Sequence, residues 1–141
     1  MRFLIAVCLA CWTLIVQAEP EYQIKVKVSL ADELKAEAHP KWPVYIYAAA
    51  PGSRVPLASF RTEVDQLPMV VTLDETMYVL PQFTLKGAEK VELVAKISAA
   101  GDPHKTGPQD MAGRSTPVVL TNGRVVPAAV KIDRFALSDA P

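Results

Sequence analysis

Hydrophobic and polar residues alternate along much of this chain with a period of two. In Gln23-Ile24-Lys25-Val26-Lys27-Val28, the residues Ile24, Val26 and Val28 fall on one side and Lys25 and Lys27 on the other, the pattern of a half-buried strand. Ser29 followed by Asp32 resembles a capping box for a short helix over Ala31 to Ala38, which Pro40 would stop. Pro43 opens a second strand, Val44-Tyr45-Ile46-Tyr47-Ala48, ended by the turn signal Pro51-Gly52. Leu57 to Val64 reads as the return strand of a hairpin. Leu67-Pro68 then breaks the chain before a further strand, Met69 to Leu73.

The stretch Asp74 to Lys90 is less regular, with room for a short strand around Gln82 to Leu85 and a loop at Gly87. Val91 to Ser98 alternates again. Ala99 to Pro117 is rich in Gly and Pro and reads as a long exposed loop. Thr116 to Leu120 and Val125 to Asp133 predict a hairpin about Asn122-Gly123, a favoured two-residue turn. Pro127 places the last strand at an edge or a bulge. Seven or eight short strands with regular turn signals, one short helix near 31–38 and no long helix predict an all-β, antiparallel β-sandwich.

Splitting the composition changes the picture at one end. Residues 1–18 carry one base, Arg2, no acid, and an apolar run from Phe3 to Val16, followed by Val16-Gln17-Ala18. That is the form of a secretory signal peptide cleaved before Glu19, and the run is short of the roughly 20 residues that span a bilayer. Residues 19–134 then form one domain and 135–141 a tail. Both cysteines, Cys8 and Cys11, fall in the leader, so the exported chain has no thiol, no disulfide and no Cys ligand. The 15 acidic and 15 basic residues balance, and without a basic face the chain does not read as a nucleic-acid binder.

Chemistry-bearing patterns are scarce. His39 and His104 are far apart, each beside a Pro in a predicted loop, and no clustered His, Cys or carboxylate motif announces a metal. There is no G-x-S-x-G and no phosphate-binding Gly-rich loop, and the neighbouring acids Asp74-Glu75 read as a polar turn. No catalytic residue and no cofactor is expected. The aromatics are more informative: alternation sends Tyr45 and Tyr47 to the face opposite Val44 and Ile46, so both faces of that strand are apolar. Only one can face the main core, and the other needs cover from a loop, the helix or a partner.

A string of landmarks in order carries a resemblance. Val26-Lys27-Val28-Ser29-Leu30-Ala31, Val44-Tyr45-Ile46-Tyr47-Ala48, Val55-Pro56-Leu57-Ala58, Arg61, Leu67-Pro68, Thr72-Leu73-Asp74, Met77, Pro81, Val91 to Ser98, Gly101 and Gln109-Asp110 follow one another. Together they resemble the C-terminal periplasmic domain of the cytochrome c biogenesis protein CcmI (CycH) family, over nearly all of residues 23–133. The resemblance implies a non-enzymatic, chaperone-like module in the periplasm that holds apocytochrome c for the haem-ligation machinery, with no haem of its own. The chain departs from the family pattern at Ala49, Glu75, Thr76, Val79 and Ser98 to Asp102.

On this reading Asp74, Glu75, Met77, Tyr78 and Pro81 are the expected contact residues, with Trp42, Tyr45 and Tyr47 as an apolar platform. A Met beside an aromatic on an irregular segment suits adaptable recognition of a helix. Two other readings stay open: a periplasmic copper- or zinc-binding protein using His104 and Met111, and an accessory subunit of an envelope complex.

Overall fold

The computed structural model describes residues 20–102 and 105–139. The expected leader, residues 1–18, and His104 lie outside them. Among the described residues nine strands form two packed sheets: β1 (Tyr22–Leu30), β2 (Pro43–Ala49), β3 (Pro56–Glu63), β4 (Met69–Asp74), β5 (Lys90–Ile97), β6 (Met111–Arg114), β7 (Val118–Val119), β8 (Arg124–Ile132) and β9 (Arg134–Phe135). One sheet has the order β4-β1-β8. The other runs β3-β2-β5-β6-β9, with β7 beside the start of β5. The expected all-β sandwich is therefore the fold.

The period-two segments form the strands they predict, because each can bury one side. Ile24, Val26 and Val28 are fully buried while Lys25 and Lys27 are exposed. Facing them across the core, Val44, Ile46, Leu93, Ala95 and Ile97 are fully buried. Each fully buried aliphatic side chain contributes about 1.5–3 kcal/mol. Both cysteines, Cys8 and Cys11, lie outside the described residues, and this packing holds the described domain together without a crosslink. Leu34 and Leu85 join the same core from outside the strands.

Four expectations are corrected. The sandwich is not wholly antiparallel, because β8 runs parallel to β1 over Tyr22↔Arg124 to Leu30↔Ile132. The Asn122-Gly123 turn makes no hairpin: β7 pairs with β5 in one sheet and β8 with β1 in the other. Gly123, at φ +79°, turns the chain between layers while its N–H donates to the Glu21 carbonyl at 2.8 Å. Burial goes with this separation: Leu120 joins the core beside β5, and Val130 and Ile132 join it from beside β1. The helix is a single turn, α1 (Asp32–Lys35). Ala31 stands at its N-cap without a side-chain cap, and Asp32 pairs with Lys35 at 2.7 Å instead. Around Gln82 to Leu85 there is a single bridge, Leu80↔Phe83, in place of a strand.

The segment 99–117 departs furthest from expectation, since it enters the core as β6. Met111 is fully buried there, and Ser115 lets the chain turn off toward β7: its N–H donates to the Leu93 carbonyl and its hydroxyl accepts from the Leu93 N–H at 3.0 Å. Two residues set the position of β6. Asp110, fully buried, accepts from the N–H groups of Ala99 at 2.9 Å and Gly107 at 3.0 Å, and lies 3.9 Å from the Lys96 ammonium. Gly113 meets the opposite sheet so closely that a Cβ would stand 1.9 Å from the Lys131 carbonyl oxygen.

At the margin of the smaller sheet, β8 is an edge strand, as Pro127 requires. The Ala31 N–H donates to the Ile132 carbonyl. By strand alternation the even-numbered residues of β8 bond β1, and Pro127 belongs to the set whose backbone faces outward.

Two outcomes follow from this packing. Gly113→Ala drives a methyl into backbone that cannot yield, and should destabilise the domain by about 2–4 kcal/mol in urea unfolding, enough to separate it from any surface Gly→Ala change. Asp110→Ala strands two N–H groups and removes the carboxylate 3.9 Å from the Lys96 ammonium. A loss of about 2–4 kcal/mol is expected, whereas a shift within 0.5 kcal/mol, about the spread of neutral surface changes, would show that the loop holds itself.

Candidate functional site

The irregular segment after β4 begins with polar groups turned inward on the chain itself. The Asp74 carboxylate accepts from the Thr76 N–H at 2.8 Å and from the Thr76 hydroxyl. The Glu75 carboxylate accepts from the N–H groups of Glu21 and Tyr22, each at 2.8 Å, which ties the segment to the start of β1. Met77 packs against the core, and its carbonyl accepts from the Ser59 N–H of β3 at 2.9 Å. The base of the segment is thus bonded to a strand of each sheet.

Beyond that base the chain stands out in solvent. Tyr78, Val79, Leu80 and Phe83 are 46%, 57%, 42% and 43% exposed, so four large apolar side chains within six residues remain largely wet. The Phe83 N–H donates to the Leu80 carbonyl at 2.9 Å and closes a turn that also carries the exposed Pro81. The other large exposed apolar residues, Val70, Val119, Val125 and Leu137, are scattered over separate elements. Grouped apolar exposure of this kind marks interaction surface.

The structure therefore brings Tyr78 and Pro81 together, places Asp74, Glu75 and Met77 at the anchored base, and adds Val79, Leu80 and Phe83. The signal for these three was an apolar run that neither alternates nor meets a partner strand.

Trp42, Tyr45 and Tyr47 do not make one platform. Trp42 packs against the core with its ring 6.2 Å from that of His39. Tyr45 and Tyr47 do point away from Val44 and Ile46, as alternation requires, but Gly101 and Thr106 cover part of that face. The Tyr45 hydroxyl donates to the Gly101 carbonyl at 3.1 Å, and the Lys96 ammonium donates to the Thr106 hydroxyl at 2.8 Å. Tyr47 instead lines an uncovered cleft of about 170 Å³ with Ser53, Arg54, Glu92, Val94 and Arg114. Burial pushes its hydroxyl above the ordinary phenol range, and the charges of Arg114 and Arg54 pull it partly back.

A wider groove of about 500 Å³ at the end of the smaller sheet has Leu30, Val64 and Leu67 beside Lys27, Lys35 and Lys131. For metal chemistry, Met111 is fully buried in the core, and Met69 and Met77 pack against it. Among the described residues no group of three or more His, Cys, Asp or Glu gathers as ligands. No helix among them is long and apolar enough to cross a membrane.

Comparison with known proteins agrees with this architecture. The family model of the cytochrome c-type biogenesis protein H Ig-like domain matches residues 24–133. The cytochrome c-type biogenesis protein CycH of Pseudomonas aeruginosa is 38% identical over 80 residues, which are 56% of this chain and 20% of that protein. The chain thus spans about a fifth of the length of that relative. No solved structure matches at a significant level. The family match takes in nearly all of both sheets and the exposed 77–83 segment, and the chain belongs to the Ig-like domain family of cytochrome c-type biogenesis protein H.

Proposed function

We propose that this domain is an exported, non-enzymatic, chaperone-like module of c-type cytochrome maturation, which works in the periplasm and holds apocytochrome c through the 77–83 turn. The observation that carries the reading is the turn itself: Tyr78, Val79, Leu80 and Phe83 stand exposed on a base bonded to β1 and β3. A rigid base lowers the ordering cost of binding, and an apolar knob suits the greasy stripe of an amphipathic helix. The cytochrome c-type biogenesis role in the name of the Pseudomonas relative supports the process, and the leader pattern of residues 1–18 supports the compartment. Neither role calls for bond-making, and the turn carries no nucleophile or paired acid and base.

Burying one such ring or branched side chain against a client contributes on the order of 1–3 kcal/mol. Val79→Asp should therefore weaken binding of a peptide from the C-terminal helix of an apocytochrome c by at least tenfold, about 1.4 kcal/mol, with the thermal transition unmoved. Fluorescence anisotropy beside calorimetry checks both. Met77→Asp should behave differently and lower the thermal transition itself, because Met77 packs against the core. Unchanged affinity in a Tyr78→Ser, Phe83→Ser double variant would remove the turn from the site.

A further inference from the structure

The register of the larger sheet sets Ser59, Tyr47, Val94 and Arg114 in one row across β3, β2, β5 and β6. Arg54 reaches the same spot from the turn after β2, where Gly52 at φ +79° reverses the chain. The Tyr47 hydroxyl makes no hydrogen bond to any described residue, and Arg54 has no ion-pair partner among them. Both guanidinium groups nevertheless act on that hydroxyl electrostatically. The Tyr47 phenol and Arg54 line one small concavity that Arg114 also lines, so hydrogen-bond donors and positive charge meet whatever enters. Planar guanidinium forks match the two oxygens of a carboxylate. The cleft, at about 170 Å³, has room for such a group with its neighbouring methylenes. Glu92 is the acid in its lining, and would oppose the charge of an incoming anion.

We propose that Tyr47, Arg54 and Arg114 form a carboxylate-binding subsite, and that its occupant is an acidic group of the polypeptide held by the 77–83 turn. The choice of occupant rests on the proposed function, whereas the chemistry of the cleft does not. The placement supports the pairing. The Met77 carbonyl is bonded to Ser59, the first member of the row, so the base of the apolar turn lies about 10 Å, two strand spacings, from Tyr47. Two turns of helix cover that distance. A client helix with an apolar stripe and a carboxylate about two turns further on would reach both.

The test is a ¹H–¹⁵N NMR titration of the purified chain with three small probes. N-acetylglutamate N-methylamide offers a side-chain carboxylate, N-acetylglutamine offers a free chain end, and N-acetylglutamine N-methylamide offers neither. Saturable shifts at Tyr47, Arg54 and Arg114 are expected with a charged probe and none with the neutral one. The tighter of the two charged probes identifies the source of the carboxylate. Arg54→Gln, an exposed loop change that leaves the core alone, should weaken the charged probe at least fivefold. Tyr47→Phe should weaken it about threefold, and Glu92→Gln should tighten it severalfold. Equal binding of the neutral probe, no binding of either charged probe, shifts centred on Lys27 and Lys131, or an Arg54→Gln affinity equal to the parent would each overturn the assignment. Val79→Asp should leave these small probes unaffected, so loss of the apolar turn and loss of the cleft read out separately.

Discussion

The two sheets close over one core because β6 comes within backbone contact of β8, and only a residue without a side chain permits that approach. Gly113 occupies the point of contact with Lys131 and Ile132. Packing at the density of a protein interior leaves no slack there, so this one position determines how deeply Met111 enters the core and where the strand's two ends emerge. One end delivers Asp110, which gathers the N–H groups of Ala99 and Gly107 and folds the 99–110 segment over Tyr45. The other delivers Arg114 to the cleft beside Tyr47. Cover on one part of the outer face and an opening on the next are thus two results of the same backbone contact.

The exposed apolar turn is built on a different principle. A cysteine-free domain has no crosslink to stiffen an exposed loop, so the 77–83 turn takes its stiffness from hydrogen bonds at its base. Glu75 spends both carboxylate oxygens on the opening of β1, and the Met77 carbonyl engages β3. The acids of this segment serve as internal ties, and its rings are left exposed. This division of labour explains how apolar side chains stay in water without folding back onto the sandwich.

Much of the fold was legible wherever a strand buries one side and wets the other. Ile24, Val26 and Val28 against Lys25 and Lys27 mark β1 without ambiguity, and the β2–β3 hairpin is written in Pro51-Gly52 between two apolar runs. β6 was not legible, because it is short and its Gly and Ala are chosen for closeness to backbone, which reads as loop in a linear sequence. Asn122-Gly123 misled for a related reason: its local preference for a hairpin is a fraction of what Leu120, Val130 and Ile132 gain by joining a core shared between sheets. The candidate site was half legible. Tyr78 and Pro81 stood out by type, whereas Val79, Leu80 and Phe83 are recognised only once no strand is found to bury them. Tyr47 was assigned to the correct face, but its guanidinium neighbours come from 54 and 114, a proximity that no local spacing encodes.

Pro127 has a bearing on how such a protein survives at high concentration. A sandwich with an open strand margin and exposed apolar side chains invites its own copies to stack, rim against rim, into growing fibrils. On the outer margin of β8 the ring of Pro127 deletes a donor in mid-strand and interrupts the ladder a neighbouring copy would need. Association between copies is thereby left to side chains and kept away from main chain, where it would not readily come undone.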